Sequence, residues 1–148
     1  MVNTASNRFL LEVAEATMVG EYRAILMDAS FSFNVDNHRC YNDVVSHELD
    51  TGNNYTVGGL DLENIVITEY SENDWVECVW DDLFFEAIGG DIGPTSGVLF
   101  LRKSDDEYDE YDDEFIIGFM ALDSPYTIEN GGALLVPDPT VRFRKKTV

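Results

Sequence analysis

The chain has 148 residues and 45% apolar side chains, enough for one domain with a real hydrophobic core. Its 29 acidic residues against 9 basic ones give a net charge of −20, which argues against nucleic acid or an anionic membrane as a partner of the whole surface, because phosphate binding needs clustered cations. No apolar run approaches the ~20 residues that span a bilayer. The opening "MVNTASNRF" lacks a basic segment followed by a hydrophobic one, so synthesis and folding in a cytoplasm are expected.

Residues 6–18, "SNRFLLEVAEATM", predict a short helix. Ser6 or Asn7 supplies a cap, since either side chain accepts a hydrogen bond from a free first-turn N–H. Phe9, Val13 and Ala16 recur at helical spacing, as do Leu10 and Ala14, and Gly20 supplies a stop. From Tyr22 onward the texture changes to short β-rich runs between turn residues. "YRAILMDASFSF" (22–33) reads as a long or bulged strand, "NVDNH" (34–38) as a loop, and "YNDVVSHEL" (41–49) as ambiguous, with a short helical turn as one option. "GNNYTVGG" (52–59) is a loop with positive-φ positions.

"LENIVITEY" (62–70) and "NDWVECVWDD" (73–82) follow as strands. In the second, Val76, Cys78 and Trp80 share one face at period two and should point inward, with Trp75, Glu77, Val79 and Asp81 on the other. "LFFEAI" (83–88) precedes a glycine-rich turn, "GGDIGPTSG" (89–97). "VLFLRK" (98–103), "FIIGFMAL" (115–122), "YTIEN" (126–130), "ALLVP" (133–137) and "VRFRKK" (141–146) complete about nine strands. Short strands at roughly 8–12-residue spacing predict an antiparallel β-sandwich. The expectation is a mainly β single domain over 1–148, jelly-roll-like, with one short N-terminal helix.

Between the apolar runs "VLFL" and "FIIGFMAL" lies "SDDEYDEYDDEF", with eight carboxylates in the ten positions 105–114. The simplest connection is a hairpin whose acidic tip covers 104–114. Such carboxylates cannot be buried unpaired, so they lie in solvent or face cations. They do not form an EF-hand: counting from Asp105, the sixth position is Glu110 where glycine is needed, and the twelfth is Ile116 where glutamate is needed.

Other chemistry finds little support. His38, Cys40 and His47 carry metal-donor atoms, but their spacing matches no zinc signature, and no metal or cofactor is expected. Two cysteines are too few for a disulfide scaffold, and Cys78 reads as a small buried hydrophobe. "GPTSG" (93–97) has the wrong spacing for a nucleophile elbow, and there is no phosphate-binding glycine loop. No catalytic residue is assigned. "NYT" (54–56) reads as a loop asparagine rather than a glycan site. The aromatic residues of "DWVECVW" and "DDLFF" read as core. Four of the nine basic residues, Arg142, Arg144, Lys145 and Lys146, crowd the last seven positions. This basic strand and tail, 141–148, could pair with the molecule's own acids or dock on an acidic partner.

Several segments taken together carry a resemblance. Glu48, Leu49, Gly52, Tyr55, Thr56, Gly58 and Gly59 form a Glu-Leu-x-x-Gly-x-x-Tyr-Thr-x-Gly-Gly segment. Gly89, Gly90, Ile92, Gly93 and Pro94 form a Gly-Gly-x-Ile-Gly-Pro turn. With "YRAILMDASFSFNVDNH" before them and "IIGFMAL" after, the chain resembles a family of small structural proteins of tailed bacteriophages over roughly residues 20–122. It departs from that pattern in its long acidic run, where a short Asp-rich turn is usual, and in Leu83, Phe84 and Phe85, where a Trp-containing motif is usual. The resemblance implies a β-rich virion protein and not an enzyme. The expected role is a decoration or cement protein that binds the major capsid protein on the outside of the shell, assembles in the host cytoplasm and self-associates as a dimer or trimer. A neck or tail structural protein is one alternative. A DNA-mimic inhibitor and a carbohydrate-binding sandwich at a tail tip are two others.

Overall fold

The computed structural model describes residues 6–103 and 114–144. Most of the acidic run, Lys145 and Lys146 lie outside the described residues. In chain order the elements are helix α1 (Asn7–Thr17) and strands β1 (Tyr22–Asp28), β2 (Leu60–Leu62), β3 (Val66–Tyr70), β4 (Trp75–Val79), β5 (Leu83–Glu86), β6 (Ile92–Arg102), β7 (Ile116–Ile128), β8 (Ala133–Val136) and β9 (Thr140–Arg144). The protein is mainly β and antiparallel with one N-terminal helix, as the sequence predicts. The strands form a four-stranded sheet ordered β2-β1-β6-β7, a three-stranded sheet ordered β3-β4-β9 and a two-stranded pair β5-β8. Contacts group the described chain into two compact units, one of residues 6–19, 63–83 and 136–144 and the other of residues 20–62, 84–103 and 114–135.

In the first unit, α1 begins where Ser6 Oγ accepts the N–H of Phe9 at 3.1 Å, so serine is the cap. The helix packs on β3 and β4 through the stripe that contains Ala14, and Ala14 is fully buried. The other apolar stripe is outside: Phe9 and Val13 are exposed. In β4 the predicted alternation holds. Val76 and Cys78 are fully buried, Trp80 just beyond the strand is buried, and Trp75, Glu77 and Val79 face the other way. Val141 and Phe143 of β9 stand beside Cys78 and Val76 on the same face.

In the second unit, β1 is covered on both faces, and Tyr22 through Met27 are all buried. One face joins Ile25 and Met27 to Phe31, Tyr41, Val44, Leu99 and Leu101. The other carries Ala24 and Leu26, both fully buried. A strand in the middle of a two-sided core reads as a continuous apolar run, which is what "AILM" is.

Four segments differ from the sequence expectation. The expected strand 62–70 is divided: Leu62 ends β2, and β3 begins only at Val66, beyond Asn64 with its positive φ. β1 ends at Asp28, because Asp28 accepts both the N–H and the hydroxyl of Ser30 and turns the chain. The glycine-rich turn at 89–97 is shorter than expected: β6 starts at Ile92 and absorbs Gly93, Pro94 and Gly97 with shifts of register against β7. Here glycine and proline mark bulges within a strand. For the same reason 115–122 and 126–130 are one strand, β7, which runs through Asp123, Ser124 and Pro125. The ambiguous segment 41–49 contains two short 3-10 turns, Tyr41–Asp43 and Val45–His47. Phe84 is exposed, so only Leu83 and Phe85 of that aromatic run are core.

The Tyr-Thr-x-Gly-Gly segment has a steric reason. Gly59 has φ +69°, and a Cβ there would lie 1.9 Å from the carbonyl oxygen of Ala24. That contact is with backbone in the middle of β1, which cannot yield cheaply. Gly59→Ala should therefore lower the unfolding free energy by about 3 kcal/mol, the sum of positive-φ strain and overpacking. Urea denaturation checks this, and a loss below about 0.5 kcal/mol would contradict it.

Candidate functional site

Arg23 and Glu114, two of the three buried polar residues among those described, meet at the root of the acidic run. Arg23 lies on the face of β1 shared with Ile25 and Met27, and it is 5% exposed. Its guanidinium sits 4.6 Å over the ring of Tyr41 and donates from Nη2 to Glu114 Oε2 at 2.5 Å. Glu114, last of the eight acids, is 8% exposed, so it belongs to the buried root of the segment and not to a solvated tip. Its backbone carbonyl accepts the N–H of Tyr41 at 3.0 Å. One residue on, Phe115 accepts the N–H of Arg102, and Ile116 donates to Arg39, so the returning chain is held on both sides. At the departing end, the N–H of Lys103 donates to Glu21 and its Nζ lies 2.7 Å from Asp61. Arg23 thus pairs with the last acid of the segment, while Lys103, just before the segment, pairs with Asp61 of β2.

Glu48 is a second hub. Its carboxylate accepts from the hydroxyl of Tyr41, from the hydroxyl of Tyr55 at 2.7 Å and from the N–H of Gly58 at 2.7 Å. Tyr55 Oη in turn accepts the N–H of Leu26 at 3.1 Å. Gly52 and Tyr55 exchange two backbone hydrogen bonds, and Gly59 donates to Thr56. The Glu48–Gly59 segment is thus wired to itself and to β1 by the very residues that define it. Burial, and then the neighbouring Glu48 charge, push the Tyr55 hydroxyl far above its ordinary value and keep it protonated. The Gly89–Pro94 segment is tied in a similar way, with Asn53 donating to Asp91 at 2.7 Å and Gly89 donating to Asn130 at 3.0 Å.

The metal-donor residues from the sequence are otherwise engaged. His38 Nδ1 accepts the N–H of Asn34, and His47 Nδ1 lies 3.2 Å from Asp28 Oδ2. Phe31 stacks on His38 at 5.3 Å and meets His47 at 5.6 Å. Burial works against the charge of Asp28, but the Ser30 hydrogen bonds and the His47 ring outweigh it and hold the carboxyl below its ordinary value. The N–H groups of Arg39 and Cys40 lower Asp43 in the same direction. Cys40 and Cys78 are free thiols, and burial pushes the Cys78 thiol up to about 11. Among the described residues no group of three or more His, Cys, Asp or Glu could hold a metal ion. A hollow of about 80 Å³ beside Tyr55, Phe84, Phe85 and Ile92 is far smaller than the ~300 Å³ at which small-molecule pockets begin.

The basic strand lies in the first unit. Arg142 and Arg144 of β9 both stack on Trp75 of β4, with guanidinium carbons 4.9 and 4.6 Å from the ring centre. Arg142 also lies 3.6 Å from Glu77, its partner in register. Tyr70 stands on the other side of Trp75, in register with it, at 6.4 Å between ring centres. The outward face of this sheet therefore carries a Tyr-Trp-Arg row whose cations remain substantially exposed, with the Arg142 side chain at 46%. Sequence reasoning singled out Arg142 and Arg144 but missed Trp75, the platform that orders them. It also missed Arg23, whose signal was a single charge within an otherwise apolar strand, "YRAIL".

Comparison with protein-family models, with characterised proteins and with solved structures found no match.

The Tyr55 hydroxyl gives a pH test. Its folded-state value is raised, so its stabilising contribution is complete below the unfolded tyrosine value of about 10 and declines as the pH rises above it. Tyr55→Phe should cost about 1–3 kcal/mol at neutral pH, since the Leu26 N–H loses its acceptor and Glu48 a donor. It should also flatten the alkaline limb of the stability profile. Urea midpoints across the alkaline range check both, and an unchanged alkaline limb would contradict the assignment.

Proposed function

We propose that this chain is a structural protein of a tailed-bacteriophage virion, a decoration or cement protein that binds the outside of the capsid shell by adhesion. The observation that carries this reading is the use made of the residues behind the resemblance. Glu48, Gly52, Tyr55, Gly58 and Gly59 bond to one another or pack on β1, and Gly89 is tied to Asn130. Residues so employed hold loops to strands, as a structural protein requires, and leave the work of function to the surface. Binding rather than catalysis follows from this reading.

The surface suited to the shell is the outward face of β4 and β9. In a molecule of net charge −20, Arg142 and Arg144 are cations held in place by Trp75, and Lys145 and Lys146 follow them in sequence. Ordered arginines lose less rotamer freedom on binding than free ones and form directed pairs with carboxylates. An acidic patch on the major capsid protein, or on another virion protein, is the matching partner. The acidic remainder keeps decorated particles apart in solution.

Quantitative mass spectrometry of purified virions tests the role: hundreds of copies per particle are expected, a dozen or fewer would move the protein to the neck or tail, and its absence would overturn the reading. Co-sedimentation with isolated shells tests the surface. The combined variant Arg142→Ala, Arg144→Ala, Lys145→Ala and Lys146→Ala should bind at least about tenfold more weakly, with a reduced dependence on salt. Unchanged binding would exclude this face.

A further inference from the structure

β9 is an edge strand, and the phase of its hydrogen bonds decides what that edge offers. The three-stranded sheet is ordered β3-β4-β9, so among the described residues one side of β9 has no strand beside it. Continuing the register of β4 with β9 sets Trp80 opposite Pro139, and the Trp80 N–H donates to the Pro139 carbonyl at 3.0 Å. Hydrogen-bonded and non-hydrogen-bonded pairs alternate along an antiparallel ladder. The next hydrogen-bonded pairs are therefore Cys78 with Val141 and Val76 with Phe143. Arg142 and Arg144 alternate with them, so their N–H and C=O groups point away from β4. Nothing among the described residues bonds to those groups, and both residues are exposed. Backbone donors, backbone acceptors and guanidinium groups are thus offered at the same two positions. Edge strands are commonly guarded by charge. Here the guard is cationic in a chain of net charge −20, so it turns away basic strands and admits acidic ones.

We infer that β9 takes up an extended acidic segment of a partner protein as one more antiparallel strand, with carboxylates two residues apart opposite Arg142 and Arg144. Each guest residue opposite an arginine exchanges an N–H and a C=O with it. The two guest side chains then stand on the outward face of the sheet, about 7 Å apart. Aspartate or glutamate at these places meets a guanidinium already stacked on Trp75. The guest residue between them faces the other way, beside half-buried Phe143, where an apolar side chain suits it. The recognised pattern is acid, apolar, acid in extended form, with main-chain bonds supplying affinity and alternate side chains specificity. A flat acidic patch satisfies the guanidinium groups alone, and the open backbone at the same positions is what selects a strand. The two arginines are not equivalent. Arg142 has Glu77 at 3.6 Å, whereas Arg144 pairs with no carboxylate among the described residues, so the acid opposite Arg144 contributes more. The inference rests on the adhesive role of this face proposed above, and not on the virion assignment.

Amide shifts of the isotopically labelled full chain, titrated with the blocked peptide Thr-Glu-Val-Glu-Thr, test this. The N–H signals of Arg142 and Arg144 should move most within β9, and affinity should fall with added salt. N-methylation of both glutamates removes the two guest donors and should weaken binding at least about tenfold. N-methylation of the valine, whose N–H points away from β9, should change it less than about twofold. The isomer Thr-Glu-Glu-Val-Thr has the same charge but only one acid on the outward face, and should bind at least about threefold more weakly. Equal binding of the two isomers, indifference to the position of N-methylation, or no binding at several millimolar peptide would overturn the inference. So would a chain that self-associates with these two amides protected before peptide is added, which would give the edge to a second copy. If the peptide fails while shells are still bound through the four cations, strand addition falls and the adhesive face stands. The opposite pair of results removes the shell and keeps the strand.

Discussion

Taking a guanidinium out of water costs several kcal/mol unless its surroundings replace the hydration shell, and Arg23 is placed where that cost is offset twice. A carboxylate, Glu114, meets one of its terminal nitrogens, and the face of Tyr41 lies under the plane. The neighbours of Arg23 along its face of β1 are Ile25 and Met27, part of the main apolar cluster. The ion pair therefore sits at the margin of the core and joins two points far apart in sequence. Because Glu114 is also the last acid of the run, this contact ties the side chain down at the point where backbone bonds of Glu114, Phe115 and Ile116 receive the returning chain. The Tyr41 ring under the cation also carries the hydroxyl that donates to Glu48, which in turn holds Tyr55 and Gly58. Cation, ring, carboxylate and loop form one connected set, and such sets act cooperatively.

Much of the fold was legible because it rests on local rules. The Ser6 cap, the period-two face of β4 and the density of short strands each follow from side-chain geometry within a few residues. The parts that were not legible depend on partners distant in sequence. Gly93, Pro94 and Gly97 read as a turn, but pairing with β7 makes them a bulged strand. Phe9 and Val13 have the same spacing as Leu10 and Ala14, and only the position of the sheet decides which stripe is buried. At the candidate site, the clustering of basic residues pointed to Arg142 and Arg144. The register that sets both on Trp75 could not be read from one strand. Arg23 and Glu114 are 91 residues apart, and no local pattern links them.

The arrangement separates two tasks. Buried polar residues hold loops and strand ends, so the molecule keeps a defined shape despite its charge. The outward face of the three-stranded sheet carries ordered, exposed cations.

The central claim is that Arg23 and Glu114 act as one unit, and a double-mutant cycle in urea measures it most directly. Arg23→Met or Glu114→Leu alone leaves an unpaired buried charge and should cost about 3–5 kcal/mol, whereas the two together should cost less than their sum by at least about 2 kcal/mol. Additivity within about 0.5 kcal/mol would contradict the account, because it would mean that the two side chains contribute independently and that the root of the acidic run is held by something else.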